Sequence, residues 1–282
     1  MIIYKQYNQQ ELDLQYNNRF HVPDFENYLQ RWENLSRQSE KKYKVIKDIA
    51  YGDSLRESLD IFPSPNPGSK TLVFIHGGYW QRLDKSLFHF IAGSFASYGI
   101  TTVLINYPLA PAATMDRIVM SCCKAINWIH KNITQLNGDS NEIYIAGHSA
   151  GAHLATMLIT NEGNQNKQNF IKGICAISGL YNLVPIQLSN INDILKMDKE
   201  MAARNSPVLM TPVESCPLFL IVGTEETTEF KDQSSEFNEK WKSKMPSVEL
   251  KLIPGLNHFS IIDSVYETDS LVHQSICKLM GI

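Results

Sequence analysis

Residues 142–158 pass from a short apolar, β-prone run, Glu142-Ile143-Tyr144-Ile145-Ala146, through Gly147-His148-Ser149-Ala150-Gly151 into Ala152-His153-Leu154-Ala155-Thr156-Met157-Leu158, which reads as the start of a helix. A serine with glycine two residues to either side, at a strand-to-helix turn, is the pattern of a nucleophile elbow. The turn is tight enough that bulky side chains at those two positions would collide, and glycine tolerates the strained backbone. The hydroxyl then stands at the end of a sheet, beside the free amides at the N-terminus of the following helix.

The rest of the chain repeats this strand–helix rhythm. Candidate strands lie at 71–75, 101–106, 142–146, 173–177, 218–222 and 248–252. Helical segments fall near 86–98, 115–136, 150–161, 231–242 and 261–280. Strands separated by amphipathic helices predict an α/β fold with a mainly parallel sheet covered on both faces. Two antiparallel strands are expected earlier, near 43–51 and 59–62, followed by a proline-rich surface loop at 63–68. Residues 180–207 interrupt the rhythm and are expected to form a lid. In the first 42 residues, aromatics recur at Phe20, Phe25, Tyr28 and Trp32, and a helix over 24–38 would set Tyr28 and Trp32 on one face. That helix is expected to pack on the surface of the main domain; the alternative is a flap lending aromatics to a pocket. The chain is read as one domain, 1–282, with an N-terminal extension at 1–42 and a lid segment at 180–207.

Composition narrows the class. With 282 residues and 43% hydrophobic content the chain has ample core for one large α/β domain. A net charge of −3 and the lack of any Lys/Arg run make nucleic acid and anionic membranes poor partners. No apolar run approaches the length of a membrane span. Residues 1–7 turn polar at once, unlike a signal peptide. The five cysteines, Cys122, Cys123, Cys175, Cys216 and Cys277, contain no C-x-x-C pair and fit reduced, mostly buried thiols of a cytoplasmic protein.

A serine hydroxyl becomes an effective nucleophile only with a base in hydrogen-bond reach and a carboxylate to orient that base. His258 is the candidate base, in the loop Pro254-Gly255-Leu256-Asn257-His258-Phe259 just after a strand. His76 and His148 flank glycines and read as structural turn residues. His153 would point away from Ser149 along its helix, His89, His130 and His273 sit in expected helices, and His21 is in the extension. For the acid, the loop after 218–222 offers Glu226, with Glu225 as a close rival. The chain order is then nucleophile Ser149, acid Glu226, base His258. After the strand at 71–75 comes His76-Gly77-Gly78-Tyr79-Trp80. Its two glycines let backbone N–H groups turn inward, where with the Ala150 amide they would hold an oxyanion. Ser121-Cys122-Cys123-Lys124 also matches S-x-x-K, but it lies in an amphipathic helical stretch and no K-T-G accompanies it.

The three motifs together resemble α/β-hydrolases of the hormone-sensitive-lipase-like group. More narrowly, His76–Gln81 (H-G-G-Y-W-Q), Gly147–Ala155 (G-H-S-A-G-A-H-L-A) and the G-x-x-H-F ending at Phe259 resemble the kynurenine formamidase (arylformamidase) family. So do Tyr51-Gly52-Asp53, Leu59-Asp60-Ile61, Ser178-Gly179-Leu180-Tyr181, Arg204-Asn205-Ser206-Pro207 and Glu229-Phe230. The resemblance runs from about residue 50 to the C-terminal helix. It implies an α/β-hydrolase fold and the hydrolysis of N-formyl-kynurenine to kynurenine and formate in tryptophan degradation. It implies Ser149 as nucleophile, His258 as base, and Gly77, Gly78 and Ala150 as oxyanion donors. The family usually places aspartate where this chain has Glu226. The ligand motif of the separate metal-dependent formamidases is absent, so neither metal nor other cofactor is expected. Formyl is the smallest acyl group, so a tight acyl side is expected, with Tyr79 and Trp80 as candidate aromatic walls for a small aryl amide or ester substrate. The same residues would also serve a carboxylesterase acting on small aryl or short-acyl esters. A third reading is a non-catalytic ligand-binding hydrolase fold, although such proteins normally lose the serine or the histidine.

Overall fold

The computed structural model describes residues 1–160, 170–213, 215–245 and 247–282. Eight strands form one sheet: β1 (Ile46–Ala50), β2 (Ser58–Phe62), β3 (Ser69–Ile75), β4 (Thr101–Ile105), β5 (Gly138–His148), β6 (Ile171–Ile177), β7 (Leu218–Gly223) and β8 (Val248–Ile253). Their order across the sheet is β1-β2-β4-β3-β5-β6-β7-β8. The first two pairings, β1 with β2 and β2 with β4, are antiparallel; all the others are parallel. This is the α/β-hydrolase architecture.

Side-chain alternation explains why the sheet needs cover on both faces. Val73, Ile75, Val103, Ile105, Ile145, Ile174 and Leu220 enter one core; Leu72, Phe74, Leu104, Ala146, Cys175 and Ile221 enter the other. Period-two strands that are apolar on both sides stay dry only between two helical layers.

The helices are α1 (Gln9–Gln15), α2 (Asn18–His21), α3 (Phe25–Lys42), α4 (His89–Phe95), α5 (Met115–Asn132), α6 (Ala150–Met157), α7 (Val184–Leu188), α8 (Asn192–Leu195), α9 (Lys199–Arg204), α10 (Thr228–Trp241), α11 (Ser260–Asp263) and α12 (Leu271–Met280). α5, α6 and α10 bury side chains in the first core, and α3, α4, α11 and α12 in the second.

Several boundaries differ from the sequence reading. The helix expected over 261–280 is two helices, because Ser270 caps α12 by accepting from the His273 amide at 3.0 Å, and a cap demands a non-helical residue. The helix expected at 150–161 spans Ala150–Met157, and Asn161 lies outside the described residues. The expected lid, 180–207, is built from α7, α8 and α9. The helix of the extension runs longer than expected, to Lys42.

Candidate active site

β5 ends at His148 and α6 begins at Ala150, so Ser149 makes the whole turn alone. Its backbone takes φ 57° and ψ −120°, a left-handed strain concentrated on one residue. A Cβ on Gly147 would overlap the Gly151 carbonyl, and one on Gly151 would overlap the Ile75 carbonyl of β3. The elbow therefore depends on both glycines. The Ser149 amide donates to the Ile177 carbonyl at 2.8 Å, which ties the turn to β6.

The His76-Gly77-Gly78 loop leaves β3 beside it. A Cβ on Gly77 would lie 3.0 Å from Ser149 Cβ and 2.9 Å from the His148 carbonyl oxygen. The loop's carbonyls are held on the far side. Tyr107 donates its hydroxyl to the His76 carbonyl at 2.8 Å, and the His76 ring nitrogens lie 2.8 Å from the Gly77 carbonyl and 3.1 Å from Asn106 Oδ1. In a planar trans peptide the N–H points opposite to the carbonyl before it. Pinning the carbonyls of residues 76 and 77 thus turns the amides of Gly77 and Gly78 the other way. Burial lowers the His76 pKa to about 4, so this ring is a neutral structural element.

His258 sits past the end of β8, as its loop predicts. Its Nδ1 donates to Glu226 Oε2 at 2.7 Å. Glu226 is buried in the loop after β7, and its other oxygen, Oε1, accepts from Ser178 Oγ at 2.6 Å and from the Gly223 amide at 2.9 Å. Three donors thus satisfy a buried carboxylate. Glu225 is exposed and meets Thr224 Oγ1 at 3.3 Å, so it is Glu226 that reaches the imidazole. The extra methylene of glutamate does not prevent the contact. His148 donates from Nε2 to the His258 carbonyl at 3.0 Å, and its ring lies 4.7 Å from that of His258. Burial first, and the neighbouring His258 second, push His148 well below the ordinary histidine value. On its other side His258 packs 4.6 Å from the Phe230 ring.

Ser149, His258, His148, Gly78 and Tyr79 line one cavity of about 250 Å³. Trp80 does not belong to it. Residues 79 and 80 both take left-handed backbone, with φ 51° and 58°, and the turn sends the indole inward, where it is fully buried edge-on to His153 at 5.1 Å. The expectation of Trp80 as a substrate wall is therefore corrected. Tyr79 remains a wall, with its hydroxyl donating to the Tyr16 carbonyl at 2.8 Å.

With this geometry in place, comparison with known proteins is informative. A family model described as BD-FAE matches residues 59–241. Kynurenine formamidase of Danio rerio is 31% identical over 246 residues, covering 84% of this chain and 83% of that protein. The chain belongs to the BD-FAE family and to that of the kynurenine formamidases. A solved structure from Silicibacter sp. tm1040 superposes with a TM-score of 0.84 at 25% identity, covering 96% of this chain and 99% of that one. An esterase from Pyrobaculum calidifontis shares the fold, with a TM-score of 0.73 at 16% identity over 94% and 97% of the two chains. The protein is a hydrolase. No helix of the described residues is long and apolar enough to cross a membrane.

Beyond the family motifs, the cavity is finished by residues of the extension and of the 180–207 segment, of which sequence reasoning had weighed only the aromatics for a pocket. Arg19, Phe25 and Trp32 line it from the extension, and Asn190 and Ile191 from the 180–207 segment. Trp32 and Tyr28 stack on Phe259, the neighbour of His258, at 6.2 and 6.0 Å. The extension thus does what the alternative reading described: it brings aromatics to the pocket. Its anchor is Glu229, fully buried on α10, which accepts from the Tyr16 hydroxyl at 3.1 Å and pairs with Lys5 at 3.0 Å. Ser178 is the other residue without an assigned role. Its segment was noticed only as a likeness, because a serine that hydrogen-bonds a carboxylate carries no spacing signal of its own.

Proposed function

We propose that this hydrolase cleaves an aryl formamide, with N-formyl-kynurenine as the substrate and kynurenine and formate as products. The observation that carries the reading is the 2.7 Å contact from His258 Nδ1 to Glu226 Oε2 in the wall of the cavity that holds the Ser149 elbow. Ser149 acts as nucleophile, His258 as base, and Glu226 holds the imidazole in the tautomer that leaves Nε2 free to accept a proton. His258 takes the proton of Ser149 Oγ as that oxygen attacks the formyl carbon. The amides of Gly77, Gly78 and Ala150 stabilise the oxyanion. Protonated His258 then gives its proton to the aniline nitrogen, the C–N bond breaks and the arylamine leaves. Water, deprotonated by His258, attacks the formyl ester; formate departs and Ser149 regains its proton. An arylamine leaves more readily than an alkylamine, so ester-cleaving machinery suffices for this amide.

The cavity supports a small substrate. Its volume of about 250 Å³ lies just below the roughly 300–1,000 Å³ of common ligand pockets, and Tyr79, Phe25 and Trp32 offer aromatic surface for a single ring. We further read the chain as one domain completed by its extension and lid segment, and as a cytoplasmic enzyme, in keeping with five buried cysteines.

The likeness to an esterase fold favours one second reading, a carboxylesterase for small aryl or short-acyl esters using the same residues. Comparing kcat/KM on N-formyl-kynurenine and on p-nitrophenyl acetate separates the two. A clear preference for the formamide is the expected result; a strong preference for the ester would overturn the formamidase reading.

A further inference from the structure

We propose that Arg19 and Arg82 form a cationic rim that receives an anionic group, a carboxylate, on the leaving-amine side of the substrate. The inference rests on the formamidase reading for the nature of the amine, but not for the presence of the rim.

Both arginines line the cavity that contains Ser149 and His258. They come from distant parts of the chain: Arg19 from α2 in the extension, Arg82 from the loop that follows the oxyanion glycines. Among the described residues neither forms an ion pair, whereas Arg31, Arg37, Arg56, Arg117 and Arg204 each meet a carboxylate. No aspartate or glutamate lines the cavity. In a chain of net charge −3, the cavity with this serine therefore presents two arginines that no ion pair engages.

The geometry also restricts how Arg19 can move. Its guanidinium lies 4.6 Å from the centre of the Phe25 ring, a cation–π contact that holds it at the cavity edge. Burial first and the charge of Arg82 second lower its pKa below the ordinary guanidinium value, against an opposing effect of Glu26. Two cations near enough to repel each other gain most from a shared anion. Guanidinium groups match a carboxylate in bidentate geometry. The aromatic surface of Phe25 and Trp32 lies on the same wall, so an aryl ring bearing a carboxylate side chain could occupy both features at once.

The test uses matched substrates. Turnover of N-formyl-kynurenine, which has a carboxylate, is compared with that of N-formyl-2-aminoacetophenone, which has the same aryl ketone without it. In R19Q and R82Q the ratio of kcat/KM for the carboxylate-bearing over the carboxylate-free substrate should fall about tenfold each, chiefly through KM, as expected for losing one charge-assisted contact. R37Q, on the outer face of α3, serves as the control that keeps the wild-type ratio. A ratio unchanged in both variants would overturn the rim. If the wild-type enzyme cleaves neither formamide but hydrolyses phenyl acetate, the formamidase reading fails, and 4-acetoxybenzoate against phenyl acetate becomes the deciding pair for the arginines. If no substrate is turned over, calorimetric binding of kynurenine against 2-aminoacetophenone to the same variants decides it, with loss of the preference for kynurenine supporting the rim and its retention refuting it.

Discussion

Ser178 Oγ lies 2.6 Å from Glu226 Oε1, on the carboxylate oxygen that His258 does not use. Ser178 follows β6 directly, with a left-handed φ of 53° and its amide donating to the Ile221 carbonyl of β7 at 2.7 Å. The end of one strand thus fixes the side chain that orients the imidazole at the end of another. Replacing Ser178 by alanine leaves that oxygen with the Gly223 amide alone. S178A is expected to lower kcat by roughly tenfold and stability by about 1 kcal/mol, with KM retained. Steady-state kinetics with a denaturant titration measure both; full kcat in S178A would show that Gly223 alone suffices.

The two neighbouring glutamates are expected to behave differently. E226A should cut kcat by about 10³–10⁴, because the imidazole loses the partner that sets its tautomer. E225A, on an exposed side chain, should stay within about twofold of wild type. The reverse pattern would reassign the acid.

Gly77 stands against Ser149 so closely that a methyl group there would press on Ser149 Cβ and the His148 carbonyl. G77A should therefore lower kcat by about 10²–10³, the usual cost of losing or displacing one oxyanion donor. Formamide and ester turnover should fall together, since both pass through the same oxyanion. A selective loss of one would show that Gly77 shapes the substrate pocket instead.

Three buried histidines set a pH limit on stability. Burial lowers His76 and His153 to about 4 and holds His148 well below its ordinary value. In the unfolded chain each titrates near 6.5, so between about pH 4 and 6.5 the unfolded state binds more protons than the folded one. Stability is then fully present above about pH 6.5 and is lost as the pH falls, each histidine adding a slope of up to about 1.4 kcal/mol per pH unit. Urea unfolding at several pH values should show this decline. H153Q, which keeps a donor for the Asn205 carbonyl, should flatten it by about one proton's worth; an unchanged slope would remove His153 from the explanation.

The strand–helix alternation and the three loops that carry Ser149, Glu226 and His258 were legible because each is a local pattern. Ser149 sits between glycines that the turn demands, and His258 and Glu226 lie in loops just past apolar strands. The choice between Glu226 and Glu225 was less secure, since adjacent loop residues differ only in which way the backbone turns them. Trp80 was misplaced for the same reason: two successive left-handed residues reverse the direction a loop side chain takes. The pocket walls were hardest to read. Phe25 and Trp32 are placed at the cavity by contacts with Phe259 and Asp263, more than 200 positions away, and spacing along the chain does not encode such distances. The aromatic recurrence at Phe25, Tyr28 and Trp32 was the one local trace of them.

α3 packs Trp32 against Phe259 and sends its indole N–H to Asp263 at 2.8 Å, so the cavity is bounded by segments more than 200 residues apart. Ser149, Glu226 and His258 ride on turns at the ends of sheet strands, whereas part of the recess wall comes from a peripheral helix. Drift in the first forty residues can therefore retune which molecules are accepted while leaving the bond-breaking apparatus untouched.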